Sequence, residues 1–441
     1  MTPLSDAIVG DARRSKRAWE TLTDLVDIGN RMAGQAGERK AADTIAAAFE
    51  AADLEAVDIE EFPIPGWWRG SSRLAVTDRD EWSADYDVIA LPGSPAATVT
   101  APIIDLDYGL PDDIGPEVDG KIAMVRSDAP ADARWAHRME KFAAAYEHGA
   151  VGFIYRNHVP GCLPATGECG YHRRPALLPA VGVSQELGAR LARYARDDEA
   201  ETTLAVECRH EETTSHNVHA TVGPATDEEV LVTAHIDAHD IAEGAEDDGV
   251  GAAALPEIGR LLAASADRLD TQVRLIGLGA EEIGLYGAYH VAATHDRPIK
   301  AVINIDGAGS SRDPRISTFG FPGLDEPFVR VAERLAMSLD VSEDVSPHAD
   351  SWAFVEQGVP TVTLGSQRPA EGRGWGHTHA DTLDKLDPRD IQELVLFATA
   401  ATVAVCEETW SPGLCTSDEI REELTDGHVR ELEIGERWHF A

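Results

Sequence analysis

Apolar residues recur along this chain in two rhythms, and the change from one to the other marks its organisation. Near the start, RAWETLTDLVDIGNRM and AADTIAAAFEAADL carry apolar side chains at helical spacing, with Ala42, Ile45, Phe49 and Ala52 in the second. The loop AGQAGERK separates these helices, and EAVDIEEFPIP then reads as a strand over 55–65. Across 95–205, short β runs (TAPIIDLDY, GKIAMVR) precede a helix in ARWAHRMEKFAAAYEHGA and a buried strand, VGFIYRN. A loop rich in Gly, Pro and His follows, then a strand in PAVGVS and a helix in QELGARLARYAR. This stretch reads as a β-rich unit inserted into another domain, because strong alternation of strand and helix resumes only after it.

From about 216 onward that alternation is plain. The strands are VLVTAHID, QVRLIGLGAEE, KAVINIDGAG and GVPTVTLGS. Between them lie helical patterns in GVGAAALPEIGRLLAASA (with Pro256 expected to kink it), EIGLYGAYHVAATH and EPFVRVAERLAMSL, and IQELVLFATAATVAVCEETW closes the series. Continuous apolar strands alternating with helices predict an α/β fold whose mixed sheet is mostly parallel and covered by helices on both faces. The expected division is 1–94 and 206–412 for the main domain, 95–205 for the insert, and 413–441 for an acidic tail.

Composition changes this picture little. The 441 residues are 43% hydrophobic, 26% charged and 6% aromatic, which excludes a disordered, collagen-like or disulfide-framework chain. No stretch reaches the ~18 apolar residues of a membrane helix, so no membrane partner is expected. Charge changes it more. A formal net charge of -40 repels phosphate backbones, so nucleic acid is not an expected partner. Only six of the 38 basic residues are lysines, a bias that with the excess of carboxylates points to adaptation to molar salt. Cys162, Cys169, Cys208, Cys406 and Cys415 are odd in number and read as free thiols, although Cys162 and Cys169 share one loop. Arg13-Arg14 is followed by no hydrophobic segment and reads as no export signal, so a cytoplasmic protein is expected.

The chemistry sits at strand ends, where such sheets bind ligands. VLVTAH ends at His235 with Asp237 two residues on, RLIGLGA ends at Glu281-Glu282, and AVINI ends at Asp306. The glycine-bounded loop GAEDDGVG offers Asp247 and Asp248, and GHTHADT offers His377 and His379. Each element alone is an ordinary turn or capping pair, but together they crowd acids that would repel one another without cations. Carboxylate and imidazole donors without thiolate suit zinc, with manganese or cobalt as substitutes, and the donor count suits two ions.

The ordered array HID (235–237), GAEDDGVG (244–251), GAEEIGLYG (279–287), NID (304–306) and GHTHADT (376–382) resembles the co-catalytic zinc exopeptidases of metallopeptidase family 28. IGNRMAGQAGERKAADTIAAAFEAADL is similar to that family's N-terminal segment, and ADSWAFVEQGVPTV (349–362) to its SDHxxFxxxGIP stretch, with Ser351 in place of the His. The insert resembles a protease-associated (PA) domain. The resemblance implies that His235 and Asp306 hold one zinc and Glu282 and His377 the other. Asp247 would bridge both, Asp237 would orient His235, and Glu281 would be the general base. It also implies a cis peptide between Asp247 and Asp248. Many members carry Tyr just before the last ligand, where this chain has Gly376; Tyr286, Tyr289, Trp375 and His379 are the candidates to replace its hydrogen bond.

The expected function is therefore an aminopeptidase acting on peptides, with self-association into a homo-oligomer left open. A carboxypeptidase or dipeptidase is the alternative and would need an arginine such as Arg368 or Arg373 for the substrate carboxylate. A binding protein that has lost its metals fits less well, because all five ligands and Glu281 are present. A glutaminyl cyclase, whose site typically engages one zinc, fits less well still.

Overall fold

The computed structural model describes residues 4–170, 174–196, 200–367 and 374–440. Four strands that pair in parallel form the middle of its main sheet, in the order Thr361–Ser366, Ile299–Ile305, Glu229–His235 and Gln272–Leu278. These are the apolar runs of the sequence, and they are buried because helices cover both faces. Val230 and Val232 face a core shared with the helices Ala36–Ala51, Val250–Ala263 and Pro388–Val405, whereas Leu231 faces Ala288, Val291 and Phe354 on the other side. Each such side chain removed from water contributes ~1.5–3 kcal/mol. The helix Val250–Ala263 passes through Pro256, which is buried within it.

The strand expected to end at 65 continues to Val76 and pairs antiparallel with Glu201–Val222, from Asp58 opposite His219 to Val76 opposite Thr202. Pro63, Pro65, Gly66 and Gly70 punctuate the sequence and hide the strand. They are tolerated because this strand flanks the main sheet: its other edge is paired only at Leu74 and Ala75, by the short strand Glu81–Trp82, beyond the prolines and glycines. Glu201–Val222 pairs with Gln272–Leu278 at one end and with Ala97–Asp105 at the other, so the long pair carries the main sheet into the sheet of the insert.

The insert continues in parallel through Ile122–Arg126, Gly152–Arg156 and Ala180–Val183. The helix Arg138–Glu147 packs Met139 and Phe142 on one face, and Leu187 and Leu191 of Gln185–Tyr194 pack on the other. The first of these helices was expected to begin near 133. It begins at Arg138, where His137 caps it and the Glu140 side chain closes a capping box.

The acidic tail is folded. It forms the helices Ser417–Glu423 and Asp426–Ile434, the second lying against Arg138–Glu147 of the insert. Among the described residues no helix is long and apolar enough to cross a membrane. All five cysteines are free, Cys169 and Cys406 buried.

Candidate metal centre

Parallel pairing aligns the ends of three neighbouring strands, and this alignment gathers the acids. Leu278 pairs with His235, and Asn304 with Thr233, so Asp306 lies level with His235 while Glu281 and Glu282 follow just past the end of the next strand. The buried Asp237 ties two of these ends together. Its carboxylate accepts the backbone N–H of Glu281 at 3.0 Å and of Glu282 at 3.2 Å, and its carbonyl lies 3.1 Å from His235 Nδ1.

The loop bearing Asp247 is held from two sides. Arg31, 1% exposed, donates from below to the carbonyls of Leu25, Ile236, Glu243 and Gly244. Gly244 has φ +59°, and a Cβ there would meet Ala238 Cβ at 2.3 Å, so glycine is required. From above, the Asp381 carboxylate accepts Glu246 N–H at 2.7 Å and Asp247 N–H at 3.2 Å. The Asp247–Asp248 peptide is cis. Gly376 leaves room for Asp247, whose Oδ2 would lie 3.0 Å from any Cβ at that position.

His377 is oriented by the insert. Its Nδ1 lies 3.2 Å from the Thr166 carbonyl, and Thr166 N–H donates to the His377 carbonyl at 2.9 Å. His235 Nε2 and His377 Nε2 then flank Asp247, 3.3 Å from Oδ1 and 3.2 Å from Oδ2, and His377 Nε2 is 3.3 Å from Glu282 Oε2. Two groups of converging donors result: His235, Asp247 and Asp306, and His239, Glu282 and His377. Of the residues singled out in the sequence, His235, Asp247, Glu282, Asp306 and His377 come together in these groups, with Asp237 beside His235; His239 was not singled out. Nor was Asp350, which is 1% exposed with neither carboxylate oxygen hydrogen-bonded. His239 was visible in HIDAHD and Asp350 in ADSWAF, but neither stands at a strand end.

His379 belongs to neither group: its ring nitrogens lie 2.8 and 2.9 Å from the carbonyls of Ile241 and Asp85, where it joins two loops. Tyr289 packs edge-on against His439, and Trp375 is 39% exposed beneath Lys385. Tyr286 lines a cavity of about 260 Å³ together with Trp67, Ile283 and, from the insert, Glu168 and Arg174. Arg368 and Arg373 lie outside the described residues.

The residues present fit divalent ions. Zinc with donors at ~2.0–2.2 Å in a tetrahedron has donor–donor edges of about 3.3 Å, which matches the 3.2–3.3 Å separations around Asp247. His235 Nε2 is buried with no hydrogen-bond partner, as a donor awaiting a cation would be. The carboxylates give the same indication. Burial, reinforced by neighbouring acids, pushes Glu282 up to about 7 and Asp381 up to about 7, and raises Glu281 and Asp350 well above the carboxylate range. Burial also drives His239 down to about 3. Buried acids crowded without a balancing cation must take up protons, and a bound dication removes that requirement.

Comparison with known proteins agrees with this geometry. Residues 217–402 match peptidase family M28, and residues 93–191 match the PA domain. Aminopeptidase YwaD of Bacillus subtilis (strain 168) is 26% identical over 422 residues, which cover 90% of this chain and 86% of that protein. Carboxypeptidase Q of Bos taurus is 24% identical over 398 residues, covering 86% and 83%. The solved structure of BSAP, a zinc aminopeptidase from Bacillus subtilis, superposes with a TM-score of 0.68 at 26% identity, over 88% of this chain and 93% of that one.

Proposed function

This chain is a metallopeptidase of peptidase family M28 carrying a PA domain, and we propose that it is a two-zinc exopeptidase releasing N-terminal residues from peptides. The observation that carries the reading is the pair of donor groups joined at Asp247, whose two oxygens each face a different histidine. In this reading His235, Asp306 and Asp247 hold one ion, and Glu282, His377 and Asp247 the other. Ions so held would lower the pKa of a water and polarise the scissile carbonyl. The likeness to a zinc aminopeptidase supports zinc, and the oxygen-rich donor set admits manganese or cobalt.

Glu281 is the group we assign to proton transfer. Its backbone is fixed by Asp237, and its carboxylate, kept ionised once bound dications balance the neighbouring acids, would accept a proton and deliver it to the leaving amine. Residues 1–94 and 206–412 supply this machinery. The insert, 95–205, adds a wall to the cleft: Glu168 and Arg174 face Ile283 and Tyr286 across the cavity beside the Glu281–Glu282 loop.

Direction of cleavage follows from charge. Asp247, Asp248, Glu281, Glu282, Asp306, Asp350 and Asp381 outnumber the charge of two dications, and the surplus attracts a substrate ammonium. Arg31 underlies the same carboxylates, but its guanidinium is engaged by backbone carbonyls. The likeness to carboxypeptidase Q keeps the opposite direction as a second reading. Turnover of matched peptides separates the two: free N-termini should be cleaved and acetylated ones spared. Equal cleavage of both, with sensitivity to C-terminal amidation, would establish the carboxypeptidase.

A further inference from the structure

His239 lies outside every motif used above, yet it stands inside the donor group of Glu282 and His377. It is 4% exposed, and its ring meets that of His377 edge-on, centroids 4.4 Å apart and planes at 80°. Its Nε2 is 2.8 Å from Glu282 Oε2 without the alignment of a hydrogen bond, and neither ring nitrogen has a hydrogen-bonding partner. What the contact lacks in hydrogen-bond alignment it has in convergence, for His239, Glu282 and His377 each turn one donor atom toward a common space. The segment is pinned on both sides. Ala238 N–H donates to the Arg31 carbonyl, and Asp240 is gripped by the Arg69 guanidinium at 2.7 and 2.9 Å, both side chains about one-tenth exposed. The ring is therefore placed by the fold, not left to settle where space allows.

We propose that His239 is a further protein donor to the ion held by Glu282 and His377. With Asp247 that ion would then have four protein donors, two imidazoles and two carboxylates, where the other would have three, His235, Asp306 and Asp247. The two sites would consequently be unequal: the four-donor site binds more tightly and, with its two imidazoles, selects zinc or cobalt over manganese, while the three-donor site exchanges and tolerates manganese. This inference rests on the two-ion reading and goes beyond it in assigning different affinities to the two ions.

The test is metal binding by the apo-protein, measured by chelator competition and by the absorption spectrum of successive Co²⁺ equivalents, with circular dichroism to confirm folding. The intact chain should bind two ions with affinities at least ~10-fold apart, and the first Co²⁺ equivalent should show the intense bands of a four-donor site. His239→Ala should weaken the tight site by at least ~10-fold and reduce that band intensity, leaving the weaker site unchanged. His235→Ala should do the reverse, sparing the tight site. If His239→Ala folds and binds both ions with unchanged affinity and spectrum while His377→Ala loses one, His239 is not a donor and the proposal falls. If the intact chain itself takes up fewer than two ions, the two-ion reading fails first, and this one with it.

Discussion

At the residue scale, the centre depends on a few side chains whose work is separable. Glu281→Gln keeps the shape and the backbone tie to Asp237 but cannot take a proton, so turnover should fall by ~10²–10⁴ while metal content is retained. Steady-state kinetics beside elemental analysis reads both, and an active variant would remove Glu281 from proton transfer. Arg31 has a different kind of role, since it touches no substrate and fills four carbonyl acceptors beneath the Asp247 loop. Arg31→Met orphans those carbonyls, and each buried unpaired group costs ~1–3 kcal/mol. Stability should drop by about 3 kcal/mol, and metal affinity should fall with it as the loop relaxes. Chemical denaturation with and without zinc would show whether the two losses travel together. His235, Asp247 and Glu282 could be picked from the sequence because strand ends and a glycine-bounded loop announce them. Arg31 and Asp350 could not, because their significance lies in what folds over them.

At the element scale, the tail shows how distant segments are clasped. Glu431, fully buried on the helix Asp426–Ile434, lies 2.7 Å from His137 Nδ1 at the head of the insert helix and 2.9 Å from His348 Nε2 of the main domain. The two imidazoles stack at 4.3 Å, and His428 adds a third ring edge-on to His348. Arg134, Arg138, Arg437 and Glu140 are the other charges facing the cluster. Burial holds His137 well below the usual histidine range, and burial together with the neighbouring His348 brings His428 down to about 4. Burial opposes the charge of Glu431, but its two histidine partners outweigh it and hold its carboxyl well below the usual range. All three groups bind protons more readily in the unfolded chain, so their contribution is complete above pH ~6.5 and declines on acidification, histidines first and Glu431 below about 4.5. Proteolysis of residues 426–434 should therefore accelerate between pH 7 and 5, measured against an unstructured reference peptide. A rate that stays flat across that interval would show that the cluster does not hold the tail. No sequence rhythm marks this clasp, because His137 and His348 come from segments far from the tail helix and each member is an unremarkable histidine or glutamate on its own.

At the scale of the whole molecule, the net charge of -40 sets the conditions under which the fold is comfortable. We propose adaptation to high salt. In dilute buffer, screening extends beyond ~10 Å and surface carboxylates repel across the molecule; at molar salt it shrinks to ~3 Å. The melting temperature should climb by several degrees between low salt and molar potassium chloride, and an unchanged or falling value would defeat the proposal without touching the chemistry. What the sequence determined by itself was whatever short-range periodicity encodes: the apolar parallel strands, the helices that cover them, and the strand-end acids with their glycine-bounded loop. The strand to Val76 escaped because prolines and glycines break its rhythm, and its partner Glu201–Val222 escaped because the polar run from Glu207 to Asn217 interrupts its apolar pattern; only pairing restores both. The entry of His239 into the donor group, the hold of Thr166 on His377, and the clasp on the tail were decided by tertiary structure alone. Each depends on a distance between residues far apart in the chain, and such distances are fixed only when the core has closed and excluded the water that would otherwise satisfy those groups separately.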